Sequence, residues 1–134
     1  MGKNLQIGVK ALILNNKNEV LLIKRTERSA AHLKDLWDIP GGRTEIGEEP
    51  EDGLLREVQE EIGGIEFKVI KPVQVRSVVN NEEKQIIRIT YLCKYVGGEV
   101  RLSDEHNDFG WFGKERLPNN IDDLVVKSIK EMDG

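Results

Sequence analysis

The residues best placed to do chemistry in this chain are three closely spaced glutamates, Glu57, Glu60 and Glu61. On a helix, side chains at i, i+3 and i+4 are neighbours, and like charges so placed repel by a few tenths of a kcal/mol per pair when solvated. A cation would relieve that repulsion. Converging carboxylates, together with a loop carbonyl, supply the hard oxygen ligands that Mg²⁺ or Mn²⁺ prefers, with coordination positions left for water and phosphate. Three glutamates alone are better described as a solvated acidic face, because charged residues are mostly exposed. The surrounding residues have to decide.

Residues 41–64 read as a glycine-rich turn feeding a helix over 50–62. Pro50 suits the first helical position, Glu51 and Asp52 suit the positive end of the helix dipole, and Gly63-Gly64 suit the exit. At about 100° per residue, Leu54, Leu55, Val58 and Ile62 form one apolar stripe, expected to pack on a sheet. Glu57, Glu60 and Glu61 share another face. Gly53 lies one turn before Glu57 on that face and is expected to leave room for metal or substrate.

Gly42, then five residues, Glu48, then seven residues, then Arg56-Glu57-Val58-Gln59-Glu60-Glu61-Ile62-Gly63 resembles the Nudix box, G-x5-E-x7-R-E-U-x-E-E-x-G-U, where U is a bulky apolar residue. Val58 fills the first U, and Gly64 departs from the last. The resemblance implies an α+β fold, the Nudix-type α/β/α sandwich with a mixed β-sheet between helices. It also implies a divalent cation, Mg²⁺ or Mn²⁺, held by Glu57, Glu60 and Glu61 with the Gly42 carbonyl. Arg56 and Glu48 match the positions that orient the glutamates through a salt bridge. Glu105, in the polar loop before Trp111, matches a glutamate that completes the metal site or acts as base, so the proton of the attacking water would go to Glu60 or Glu105. His106 beside it reads as a loop histidine.

The implied reaction is hydrolysis of a phosphoanhydride in a nucleoside diphosphate linked to a group X. The proline that marks many ADP-ribose enzymes is missing, since Pro72 comes too early and Val78-Val79-Asn80 stands where it is expected; the tyrosine of diadenosine polyphosphate enzymes is absent as well. Asn119-Asn120 before the last helix is similar to MutT-type 8-oxo-dGTP pyrophosphatases, where an asparagine reads the purine edge, which makes Asn120 a substrate-binding candidate. An amide carries donor and acceptor together. Pro118-Asn119-Asn120 is also an ordinary helix start, and capping is the favoured role. Arg25 is the candidate for gripping a phosphate as a planar fork, against the plainer reading of a basic strand end. A sugar or a second nucleotide as X, and a Nudix-fold module that senses a nucleotide without cleaving it, are the competing readings.

The elements that must hold this site follow from pattern. Residues 5–14 and 19–24 are rich in Ile, Leu and Val and flank Asn15-Asn16-Lys17-Asn18, a β-hairpin signature. Residues 29–36, with His32, read as a loop or short helical turn, and 36–42 as a short strand stopped by Pro and Gly. Trp37 reads as core, with base stacking as the alternative. Residues 65–79 and 84–96 alternate as two long strands, with Gly97-Gly98 ending the second; 100–102 and 111–112 read as short strands, and 121–132 as an amphipathic helix. The two helices should cover opposite faces of the sheet.

At 134 residues, 38% hydrophobic and 33% charged, the chain is expected to be one soluble domain, 1–134, with a core. Its net charge of −4 and lack of a basic run argue against a nucleic-acid polymer as partner. No apolar run approaches a membrane span, and residues 1–4 do not lead into a signal-peptide core, so the expected compartment is cytoplasmic. A single cysteine, Cys93, excludes an internal disulfide and reads as a buried thiol. The expected partner is a nucleoside di- or triphosphate-type small molecule, with a homodimer open.

Overall fold

The computed structural model describes residues 4–26, 35–81 and 84–132. The expected loop at 29–36 lies largely outside these, and His32 entirely so. Among the described residues, seven strands and two helices follow one another in the order β1 (Asn4–Leu14), β2 (Val20–Arg25), β3 (Trp37–Asp38), β4 (Gly41–Arg43), α1 (Pro50–Ile62), β5 (Ile65–Asn81), β6 (Lys84–Gly98), β7 (His106–Phe112) and α2 (Asp123–Glu131). The strands form one mixed sheet in the order β3-β2-β1-β6-β5, with β4 pairing β1 and β7 pairing β2. β1 and β6 run parallel over their whole shared length; the other pairings are antiparallel.

Period-two alternation explains why the sheet is covered on both sides. Val9, Ala11, Ile13, Leu21 and Ile23 pack with Leu54, Val58 and Ile62 of α1. Leu12, Val20 and Leu22 point the other way and pack with Ile39 and with Val125, Ile129 and Met132 near α2. This is the α/β/α sandwich. Leu54 and Ile62 are fully enclosed, and burying such a side chain stabilises by about 1.5–3 kcal/mol. Leu55, expected in the stripe, is instead 46% exposed. The buried face runs through Leu54, Val58, Glu61 and Ile62 with Gly53, which turns Leu55 to the rim.

The Asn15–Asn18 turn forms as expected: Asn15 Oδ1 accepts from the backbone of Lys17 and Glu19, and Asn18 takes φ +59°. The hairpin it starts is minimal. β1 and β2 pair only at Leu14↔Val20 and then diverge. The segment Ile39-Pro40-Gly41 enters the gap, where the Ala11 N–H donates to the Pro40 carbonyl at 2.8 Å. β3 then pairs β2, and β4 pairs β1. The strand expected at 36–42 is thus two short strands with Pro40 between, and Gly41-Gly42 is strand, not only turn. That opening of the sheet creates the cleft described below.

Three further boundaries move. Residues 100–102 form no strand; Val100 and Leu102 pack against the α1-side core from an irregular segment. The strand at Trp111-Phe112 begins earlier, at His106, because all of β2 templates it. Gly97 and Gly98 remain in β6, paired to Glu66 and Ile65. α2 is capped by Asp122, whose side chain accepts the Leu124 N–H, so neither Asn119 nor Asn120 is the cap.

Candidate functional site

Where β1 and β2 diverge there is a cleft of about 880 Å³, lined by Gly41, Gly42, Glu57, Glu60 and Glu61 and by Lys10, Arg25, Asp38 and Arg88. Glu105 lines the same cleft.

The acidic side is built around Arg56. Its Nε and Nη2 donate to the two oxygens of Glu48 at 2.9 and 3.0 Å, a planar two-point pairing. Nη1 donates to Glu57 at 3.0 Å and Glu60 at 3.2 Å, and Nη2 also reaches the Arg43 carbonyl. The Arg56 hydrogen bonds hold the Glu48 carboxyl down to about 2. One guanidinium therefore ties the 43–48 loop to the helix face. Gly53 serves that closure instead of leaving room for a ligand: a Cβ there would come within 2.9 Å of Glu48 and 2.8 Å of Thr44.

Gly42 lets the helix approach β4. A Cβ on it would overlap the Glu57 carboxylate. Glu61, mostly buried, accepts the Gly41 N–H at 2.6 Å, and burial pushes its carboxyl up to about 7 against the pull of Lys10, that N–H and Arg25. Among the described residues no three ligating side chains converge tightly enough to hold an ion as they stand. Glu57 and Glu60 are turned to Arg56, and Glu61 to Gly41. The donor set still fits a hard divalent cation: three carboxylates line one cleft, and the Gly42 backbone lies against Glu57.

The same cleft holds a buried basic group that short-range sequence patterns do not reveal. Asp38 Oδ2 accepts from Lys10 Nζ at 3.1 Å and from Arg25 Nη2 at 3.2 Å, while Arg88 Nη2 stands 3.8 Å from Oδ1. Burial alone would raise the Asp38 carboxyl; Lys10, Arg88 and Arg25 together bring it down to about 2. Lys10 also donates to the Ile39 carbonyl. Arg88 reaches Asp122 at 3.7 Å, and its Nε and Nη2 are enclosed without hydrogen-bond partners among the described residues. Three cations thus share one fully buried carboxylate, leaving positive charge toward the cleft. The available signal was a charged residue at an inward position of an apolar strand, Lys10 in Gly8-Val9-Lys10-Ala11 and Arg88 in Ile87-Arg88-Ile89.

Arg25 lines the cleft and spends Nη2 on Asp38. Asn120 is not among the lining residues: its side-chain amide donates to the Asp35 carbonyl at 2.7 Å and its backbone carbonyl accepts from Trp37. Trp37 packs edge-on against Phe112 in the α2-side core, and Cys93 is fully buried, its thiol pushed up to about 12 by burial and then Glu51. His106 is no loop residue. It opens β7, is buried, and sits with Nε2 3.8 Å from Glu61 Oε2.

Residues 4–131 match the family model of the NUDIX domain. The chain belongs to the Nudix hydrolase family. It is 34% identical over 125 residues to the mouse 8-oxo-dGDP phosphatase NUDT18, covering 89% of this chain and 36% of that protein. It is 32% identical over 107 residues to an ADP-ribose pyrophosphatase of Methanocaldococcus jannaschii, covering 79% and 61%. The chain thus spans less than two thirds of either relative. Its fold superimposes on the crystal structure of a MutT protein from Methanosarcina mazei Go1 with a TM-score of 0.78 and 33% identity, covering 98% and 97% of the two chains. No helix among the described residues is long and apolar enough to cross a membrane.

Proposed function

We propose that this Nudix chain is a divalent-metal-dependent hydrolase that cleaves a phosphoanhydride of a nucleoside diphosphate linked to X, with a (d)NTP, 8-oxo-dGTP among them, as the favoured substrate. The observation that carries the reading is that both signs of charge line one cleft: Glu57, Glu60, Glu61 and Glu105 line it together with Lys10, Arg25 and Arg88. A polyphosphate needs both, cations for its oxygens and carboxylates for the metal and the water.

Glu57, Glu60 and Glu61, with the Gly42 carbonyl, would hold Mg²⁺ or Mn²⁺. When bound, such an ion neutralises phosphate charge and acidifies water. Arg56 and Glu48 keep Glu57 and Glu60 on the cleft side of α1. Glu60 or Glu105 takes the proton of the attacking water as its oxygen bonds to phosphorus and the anhydride P–O bond breaks, the leaving phosphate departing with the electron pair. Lys10, Arg25 and Arg88 favour the anionic substrate without competing for the ion. Gly8, Val78 and Ile86 line the cleft with Arg88 and Asp122. Arg88 Nη1 and Asp122 Oδ1, 3.7 Å apart, put a donor beside an acceptor, the pairing a purine edge requires, and this is what favours a nucleotide base over a sugar as the recognised group.

The experiment is product release from dGTP, 8-oxo-dGTP, the other dNTPs, ADP-ribose, dinucleoside polyphosphates and nucleotide sugars with Mg²⁺, run beside Glu60→Gln and Glu105→Gln. Pyrophosphate from a triphosphate, lost in a carboxamide variant, supports the reading, and the variant that loses turnover while keeping the parent's Mn²⁺ affinity identifies the base. Turnover confined to ADP-ribose would move the assignment to that class, which one relative's activity favours. Silence across the panel with nucleotide binding retained would make the chain a sensor.

A further inference from the structure

His106 is buried, yet neither ring nitrogen has a hydrogen-bond partner among the described residues. A buried polar group left unpaired is costly, so its persistence calls for a reason. The candidates within reach are few. Glu61 Oε2 lies 3.8 Å from Nε2. Arg25, Lys10 and Asp38 are the other charged groups that act on the ring, the two cations disfavouring and the carboxylate favouring its charged form. Of the two carboxylates, only Glu61 has an oxygen without a hydrogen bond among the described residues: its Oε1 takes the Gly41 N–H, while Asp38 is occupied by Lys10, Arg25 and the Ile39 N–H.

The backbone around His106 gives the pair a mechanical meaning. The segment carrying Glu105 crosses the end of α1 and is pinned there: the Ser103 N–H donates to the Glu61 carbonyl at 2.9 Å, and the His106 N–H donates to the Ser103 carbonyl at 3.2 Å. On its far side, Thr26 N–H holds the Glu105 carbonyl at 2.9 Å. His106 therefore touches the same residue through its ring that Ser103 holds through its backbone.

We propose that His106 is a positioning residue: its Nε2–H closes on Glu61 Oε2 when a divalent cation enters the cleft, fixing the Glu61 rotamer and latching the Glu105 segment to the end of α1. The inference rests on the reading of Glu57, Glu60 and Glu61 as cation ligands. With Gly41 N–H on one oxygen and His106 on the other, both Glu61 oxygens are aimed, leaving a lone pair on each for the ion. Partners of this kind, donating to a metal-binding carboxylate, change metal affinity by about 10- to 100-fold when removed. The ring need only donate one N–H, which its neutral form does.

The test is Mn²⁺ binding to the nucleotide-free protein by electron paramagnetic resonance or calorimetry, with kcat and KM measured separately. His106→Phe fills the space without a donor, and His106→Gln returns an N–H near Nε2. Expected are a 10- to 100-fold loss of Mn²⁺ affinity in His106→Phe, a lower kcat with nucleotide KM little changed, and recovery of most of the affinity in His106→Gln. Thermal melting in EDTA checks that both variants fold; if Phe does not, the Gln variant and His106→Asn, whose amide sits too far back to reach Glu61, carry the comparison. Unchanged Mn²⁺ affinity in His106→Phe, or in His106→Asn, while Glu61→Gln loses it, overturns the latch and leaves the proposed function standing. Failure of the parent protein to bind Mn²⁺ at all overturns both.

Discussion

The two walls of the cleft carry opposite charge, and they are built in opposite ways. The acidic wall takes its three glutamates from one helix; Glu57 and Glu60 share a single arginine with Glu48 at its open part, and Glu61 is buried against the Gly41 N–H. The basic wall draws Lys10, Arg25, Asp38 and Arg88 from four strands and is closed from solvent around one carboxylate. An open cluster can trade partners, giving up Arg56 for an ion by rotating side chains. A closed one cannot, because any partner lost leaves a charge stranded in low dielectric. The acidic wall is therefore expected to govern turnover, and the basic wall to govern stability along with substrate charge.

The strongest test of that division is Glu60→Gln. Its side chain is 59% exposed, so stability should be unchanged within about 0.5 kcal/mol. Turnover should fall by about 10²- to 10⁴-fold if it is the base or a ligand. Near-normal turnover, or a large drop in melting temperature, would break the comparison from the acidic side.

Asp38→Asn asks the reverse question. It leaves Lys10, Arg25 and Arg88 facing one another without the carboxylate, and should cost about 3–5 kcal/mol of stability by urea unfolding. Because the folded carboxyl is held at about 2, below its unfolded value, its contribution is complete above about pH 4 and is lost as pH falls from about 4 through about 2. The stability gap between parent and variant should accordingly be constant at neutral pH and narrow over that window. A gap that is already small at pH 7 would show that the three cations are satisfied by water.

How much of each wall could be read in advance follows from the same difference. Glu48, Arg56, Glu57, Glu60 and Glu61 lie within fourteen consecutive residues, and helical spacing places them without knowledge of the fold. Asp38 and Lys10 meet only because β1 and β2 part and admit Ile39-Pro40-Gly41, a tertiary event that no local periodicity announces. The long strands, both helices and the Asn15–Asn18 turn were legible because each is set by its own residues. The early start of β7 was not, since β2 decides it, and neither was the irregular course of 100–102, whose Val100 and Leu102 pack on the α1-side core.

Gly64 tests the seam between motif and fold. The motif calls for a bulky apolar residue there, but Gly64 has φ +104°, and a Cβ would overlap the Glu99 carbonyl, which belongs to the turn where the Glu99 N–H in turn donates to Gly64. Ile65, one residue later, supplies the buried apolar side chain. Gly64→Ile, although it restores the motif, should therefore destabilise the protein by at least about 1–3 kcal/mol from backbone strain alone. A variant as stable as the parent would mean that the turn after α1 readily adopts another path.

The smallest expected effect belongs to Asn120, and it separates two readings of one side chain. If the amide read a purine edge, Asn120→Ala would raise KM for the purine nucleotide selectively. Its amide instead closes on the Asp35 carbonyl, and its own carbonyl accepts from Trp37, at the start of the strand that delivers Asp38 to the basic wall. Removing an exposed hydrogen bond of that kind should cost no more than about 0.5–1.5 kcal/mol. The backbone bond to Trp37 survives the substitution, so Asp38 should stay in place and KM should hold across the nucleotide panel. A purine-selective rise in KM would return Asn120 to the substrate, and would require the 119–122 segment to turn into the cleft when a nucleotide binds.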